Sequence, residues 1–297
     1  MFERILVPLD GSSRAELILS QVGRLLRRKD SKVLLLRVVS SLKESSKAER
    51  EQAERYIDEL IRKFSGRGAR VGGRVLAGPI APSILKVCEK EKATLIAMTT
   101  HGRAGLPRWL LGSVAEKVVR ASSVPVLLVR SFQPGGEEVP PATAETIPFR
   151  KILVPTDGSR ASATVVDPAT EFAQLFDSEI LVVHAEYPFI LPGPELASFP
   201  APALTRAEDD DTTAAVAEAF RDAGIRVTRR TELGDAASVI LDQSKSAGID
   251  LIAMATHGRS GLSRWVLGSV AEQVLRHGAI PLLLVPVKGS PKSRGKK

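Results

Sequence analysis

Two stretches of the sequence combine glycine and arginine in a way suited to holding a phosphate group. Residues 99–113 contain Gly102, Arg103, Gly105, Arg108, Gly112 and Ser113, and residues 255–269 contain Gly258, Arg259, Gly261, Arg264, Gly268 and Ser269. Glycine lets backbone amides come close to a ligand, and a guanidinium matches the geometry of phosphate. Each stretch ends in Gly-Ser at the start of a helical pattern, and the amide end of a helix attracts anions. Asp10 and Asp157, each within an Asp-Gly-Ser string, add a carboxylate. Such a carboxylate accepts hydrogen bonds from a ligand hydroxyl or amine, and can equally cap the helix that follows. Ser13 with Glu16, Ser113 with Glu116 and Ser269 with Glu272 have the spacing of a capping box.

The same residues argue against efficient group transfer. Neither stretch holds the lysine of a Walker A loop, no aspartate pattern for Mg²⁺ follows a second strand, and no arginine is identifiable as a transition-state finger. His101 and His257 lack a Ser or Cys nucleophile with an orienting partner, so a structural hydrogen bond is the expectation for both. Trp109 and Trp265 are expected to pack the loop or an interface, and Met98 and Met254 to close buried strands. No metal-ligating cluster stands out.

These residues recur because the chain repeats itself. Residues 95–120 and 251–276 are identical at 20 of 26 positions, and ILVPLDGS at 5–12 returns as ILVPTDGS at 152–159. The offset is 147 at the starts and 156 at the later stretch, so the second copy holds nine extra residues, assigned to the proline-rich insertion at 187–202. The expected organisation is a first domain at 1–130, a linker at 131–149, a second domain at 150–287 and a basic, disordered tail at 288–297.

In the first copy, short runs rich in Val, Ile and Leu at 4–8, 33–39, 71–76, 94–98 and 125–129 read as strands buried on both faces. Helical patterns separate them; Ala15, Ile18, Leu19, Val22, Leu25 and Leu26 follow one helical face. The alternation predicts two tandem flavodoxin-like, Rossmann-like α/β domains. Each is a doubly wound, five-stranded parallel sheet of order 3-2-1-4-5 with helices on both faces. Ligands in such sheets bind beyond the carboxyl ends of the strands, where strand order reverses, and both copies bring the loops described above there.

Composition narrows the function classes. The lone cysteine, Cys88, falls in a helical pattern and cannot form an internal disulfide. No apolar run reaches the roughly 18 residues of a membrane helix. The start MFERILVPLD lacks the order of a signal peptide, so a reducing cytoplasm is expected and a membrane is not. Residues 1–149 carry 25 basic against 16 acidic residues, and residues 150–297 carry 17 against 18, five of the basic ones in the tail. Aromatics make up 4% of the chain and none interleaves with the tail, which disfavours a nucleic-acid partner.

The sequence resembles the universal stress protein family over both copies. The resemblance rests on the ILVPxDGS starts, on THGRAGL and THGRSGL, and on the nine residues between Gly102 and Gly112-Ser113 and between Gly258 and Gly268-Ser269. The first glycine of that family's motif falls on Thr99 and Ala255. The resemblance implies an adenine-nucleotide-binding regulatory protein in stress physiology, with ATP or a relative as ligand and Mg²⁺ as its companion. Carried over, the adenosine-contacting positions are Asp10, Val38, Met98 and Thr99, with phosphate at Gly102, Arg103, Gly112, Ser113 and Val114. The second set is Asp157, Ala185, Met254, Ala255, Gly258, Arg259, Gly268, Ser269 and Val270. Two alternatives stay open: a relative that binds no nucleotide and acts through protein contacts, and a slow ATPase.

Each copy ends in an apolar run, Val126 to Val129 and Leu282 to Val285, which is an edge strand in the expected order. Open apolar edges invite association, and the family implies pairing of such strands across a two-fold axis. A linker of about 19 residues spans some 60 Å when extended. An intramolecular pseudo-dimer around 125–130 and 281–286 is therefore expected, and it leaves room for a homodimer of the whole chain.

Overall fold

The computed structural model describes residues 2–26, 31–39, 47–64, 70–100, 112–130, 149–186, 211–258 and 267–287. The first half runs β1 (Arg4–Leu9), α1 (Ser13–Leu25), β2 (Lys32–Val39), α2 (Lys47–Phe64), β3 (Arg70–Ala77), α3 (Ile80–Lys90), β4 (Leu95–Thr99), α4 (Ser113–Ala121) and β5 (Val126–Val129). The second half runs β6 (Lys151–Pro155), a 3-10 turn (Ser162–Val165), α5 (Val166–Phe176), β7 (Glu179–Glu186), α6 (Asp211–Asp222), β8 (Val227–Leu233), α7 (Ala236–Ser246), β9 (Leu251–Ala255), α8 (Ser269–His277) and β10 (Leu282–Val285).

Each half shows the parallel order 3-2-1-4-5 expected of it, and the halves merge into one ten-stranded sheet, β3-β2-β1-β4-β5-β10-β9-β6-β7-β8. The single antiparallel step lies between β5 and β10, with Leu128 opposite Leu282, Leu127 opposite Leu283 and Val126 opposite Leu284. All eight residues of these two strands are buried, as strands covered on both faces must be.

Alternation along the strands sends side chains to two cores, and both cores run across both halves. Ile5, Val7, Leu35 and Ile152 meet α1, α2, α5 and α6 on one face. Leu6, Leu36, Leu128 and Leu284 meet α3, α4, α7 and α8 on the other. The six α1 residues chosen by helical spacing are all buried. Cys88 is also buried, and burial pushes its thiol up to about 11, so it stays protonated.

An aromatic cluster seals the seam on the α1/α5 face. Phe2 of the first half lies 5.1 Å from Phe172, and Phe149 lies 5.5 Å from Phe172 and 5.2 Å from Phe176, centroid to centroid. Phe149, the last residue of the expected linker, is thus a core residue. Each ring so buried contributes roughly 1.5–3 kcal/mol. The Phe2 amide donates to Glu171 Oε1 at 2.9 Å, and the Arg24 guanidinium sits 5.2 Å over the Phe149 ring. On the opposite face Arg130 Nη2 donates to the Leu275 carbonyl near the end of α8. Burial lowers the Arg130 guanidinium to about 10, so it is still charged at neutral pH.

The three expected capping boxes are not formed. The cap of α1 is Ser12 rather than Ser13: its Oγ accepts from the Ala15 amide at 3.2 Å. The caps of α4 and α8 are Gly112 and Gly268, which have no side chain to offer, and Ser113 and Ser269 are already helical. Glu116 and Glu272 turn instead to Arg120 and Arg276, one turn along, at 3.0 and 2.6 Å. The linker up to 148, the insertion at 187–202 and the tail lie outside the described residues. So do His101, Gly102, Arg103, Gly105, Arg108 and Trp109, and Arg259, Gly261, Arg264 and Trp265.

Candidate functional site

The local chemistry begins with two tight turns. Gly158, at φ 74°, lets the chain reverse after β6, a conformation open to glycine at little cost. The reversal folds Asp157 back onto Ser159, whose amide and hydroxyl donate to Asp157 Oδ1 at 3.0 and 2.6 Å. Gly258 closes over the same carboxylate: a Cβ at that position would fall on Asp157 Oδ2. This close approach explains why a glycine stands there, independently of any ligand.

The second turn ties β9 to the start of α8. The Gly268 amide donates to the Thr256 carbonyl at 2.9 Å, and a Cβ on Gly268 would come within 3.2 Å of that carbonyl oxygen. Without a capping side chain at Gly268, the first amides of α8 keep the partial positive charge of a helix start. By contrast α7 is capped by Asp235, which accepts from the Ser238 amide at 3.0 Å.

Between the two turns lies a cavity of about 290 Å³. It sits at the carboxyl ends of β6, β7 and β9. The chain leaves β6 towards the α5 face and β9 towards the α8 face, which is the switch point of the doubly wound half. All eight described positions expected in the second copy line it: Asp157, Ala185, Met254, Ala255, Gly258, Gly268, Ser269 and Val270. Val183 and Ile240 extend its apolar wall. The lining thus offers a fixed carboxylate, an apolar slot and a helix amide end.

Spacing alone missed Thr156, Ser162, His184, Ala236 and Ile240, which also line the cavity. Thr156 and Ser162 join their hydroxyls at 3.0 Å. His184 Nδ1 donates to the Thr156 carbonyl at 2.8 Å, because a carbonyl can only accept. Ala236 and Ile240 belong to α7, which begins just past the end of β8 at the same margin. His257 pairs Nδ1 with Thr256 Oγ1 at 3.0 Å, as a structural role requires. Its Nε2 is buried without a partner among the described residues. Burial, reinforced by the charge of Arg120, holds this imidazole below its ordinary pKa, so it is neutral at pH 7.

The described part of the first half repeats this arrangement. Asp10 Oδ1 accepts from the Ser12 amide at 3.0 Å and its hydroxyl at 2.6 Å, and the Gly112 amide donates to the Thr100 carbonyl at 3.0 Å. Val38, Met98 and Thr99 are buried near the strand ends, with Ser113 and Val114 opening α4. Neither Thr99 nor Ala255 has a positive φ. Each is the last residue of its strand, so the backbone there does not demand the glycine that the family's motif carries.

A profile of the universal stress protein family matches residues 1–130 and again residues 148–286. The chain belongs to the universal stress protein family.

Its similarity to other universal stress proteins has two scales. A Methanocaldococcus jannaschii universal stress protein is 32% identical over 143 residues, covering 46% of this chain and 82% of the relative. A Mycobacterium tuberculosis universal stress protein is 29% identical over 217 residues, covering 71% of this chain and 66% of the relative. The crystal structure of an Archaeoglobus fulgidus universal stress protein matches 96% of each chain with a TM-score of 0.69 at 23% identity, which speaks to the fold. The tandem arrangement of this universal stress protein therefore has both single-length and longer relatives.

Proposed function

We propose that this universal stress protein binds an adenine nucleotide, with ATP as the leading ligand, and acts as a binding and regulatory module. The observation that carries the proposal is the cavity's polarity, with the Asp157 carboxylate, the apolar slot and the open start of α8 around one space. The purine occupies the slot formed by Val183, Ala185, Ile240 and Met254, and the Asp157 carboxylate receives a ribose hydroxyl. The phosphates meet the amides of Ser269 and Val270, with Gly258, Gly268 and Arg259 beside them. Mg²⁺ would ride on the phosphates' own oxygens. Asp10, Val38, Met98, Thr99, Gly102, Arg103, Gly112, Ser113 and Val114 form the matching site of the first half. The β5–β10 joint holds the domains, 1–130 and 150–287, together in solution, and a cytosolic setting supplies the nucleotide.

Ala185→Phe tests this by filling the slot from a half-buried position. A ligand at 100 times its dissociation constant stabilises by roughly 2.7 kcal/mol. The wild-type melting temperature should rise with millimolar ATP, and equilibrium dialysis should count one fewer nucleotide per chain in Ala185→Phe. Absence of any shift with ATP, ADP or AMP would hand the case to the protein-contact alternative.

A further inference from the structure

The amino-terminal margin of the first half carries a feature that the second half lacks. β1, β2 and β3 begin at Arg4, Lys32 and Arg70, and the register sets them side by side: Arg4 opposite Lys32, Lys32 opposite Arg70. Neighbouring strands lie about 4.8 Å apart, so three cations share a row of about 10 Å. Like charges directly opposite each other destabilise a sheet. Among the described residues none of the three side chains has a carboxylate partner; the adjacent Glu91 is engaged by Arg74 at 2.9 Å.

The second half shows the stabilised version of the same row. Its counterparts are Lys151, Glu179 and Arg226. Lys151 and Glu179 form an ion pair at 3.0 Å, and the bond from the Ile180 amide to the Arg226 carbonyl places Arg226 on the far side of Glu179. Charge alternates there, whereas in the first half it accumulates.

The uncompensated row borders a cavity of about 380 Å³, floored by Leu6, Leu34, Gly72 and Ala93. Small residues keep that space open. A Cβ on Gly72 would meet nothing closer than Leu34 Cδ1 at 3.9 Å, so no crowding of the fold requires glycine there. Gly72 pairs in register with Leu34 as Thr228 pairs with Leu181, and Ala93 precedes Thr94 as Ile249 precedes the equivalent Asp250. Two positions filled by larger side chains in one half are thus small in the other, next to the row where the charges differ.

We infer that this cavity binds an amphiphilic anion: a carboxylate or phosphate head on an apolar body of several carbons. The head lies on Arg4, Lys32 and Arg70, and the body lies over Leu6 and Leu34 in the space left by Gly72. The anion supplies the negative charge that Glu179 supplies within the second half.

Calorimetric titration of the full chain with octyl phosphate, octanoate and inorganic phosphate tests the inference and separates the two head groups. Octyl phosphate or octanoate should bind saturably, one per chain, at least about tenfold more tightly than inorganic phosphate, and with unchanged affinity in excess ATP. Lys32→Glu, which rebuilds the alternation of the second half, should weaken binding at least about tenfold and raise the melting temperature of the unliganded protein. Gly72→Leu should weaken octyl phosphate while leaving the weak response to inorganic phosphate. The inference is overturned if neither alkyl anion saturates, if inorganic phosphate binds as tightly as they do, or if Lys32→Glu binds within about twofold of wild type.

Discussion

Asp10 and Asp157 are each held by a serine amide and hydroxyl at the same two distances, and Gly112 and Gly268 each reach back to the carbonyl of the preceding strand's end. Elsewhere equivalent positions part company. Arg37 donates to the Leu9 carbonyl at 3.4 Å where His184 donates to Thr156. Arg24 covers a ring where Glu171 accepts an amide. Arg130 crosses the seam to a helix carbonyl, and its counterpart Pro286 has no proton to give. The lesson concerns constraint. The tight turns at the strand ends answer to the same geometry in both halves. Seam positions in a two-fold dimer of identical chains must complement themselves. In a tandem chain each meets a different residue and can specialise, which makes the joint directional.

Breaking the joint should have the largest effect. Leu128→Lys with Leu284→Lys places two unpaired charges in buried strands facing opposite halves, and costs of more than about 4 kcal/mol are expected of such a change. Urea unfolding followed by circular dichroism should show one transition in the wild type and a split or lost transition in the double variant. One unchanged transition would mean the halves do not depend on β5 and β10. Phe172→Ala ranks next, at about 3–5 kcal/mol for a large core ring removed. It should exceed Leu25→Ala at the equivalent position of α1, because the Phe172 ring packs against Phe2 of the first half as well as Phe149 and Phe176; equal losses would erase the asymmetry claimed for the seam.

The smallest effect is a pH dependence. His257 is held below its unfolded pKa, so between the two values the unfolded chain binds more protons, and stability falls as pH drops through about 6.5. His257→Gln should flatten the loss of melting temperature between pH 7 and 5. Arg120→Gln should flatten it less, since burial outweighs the charge of Arg120. A steeper loss in either variant would contradict the assigned cause.

The strands were legible because Val, Ile and Leu runs mark burial on both faces: the run at 33–39 became Lys32–Val39, and that at 125–129 became Val126–Val129. The candidate site was legible in part because the repeat doubles its glycines. What escaped depends on relations that spacing does not encode. A Gly-Ser pair does not say which residue caps, and here a bond from Gly268 to Thr256, across a loop, decides it. His184 and Ile240 join the site only through the register of β7 and the seating of α7. Arg4, Lys32 and Arg70 lie far apart in sequence and become neighbours only when three strands pair.

Because β10 runs against β5, every strand of the second half points the opposite way from those of the first. The two switch points therefore open on opposite margins of one sheet, about four strand spacings or roughly 20 Å apart along it. A surface that covers one of these margins leaves the other open to solvent. The tandem chain therefore has two strand-end margins that face apart and can be approached separately, rather than one doubled face.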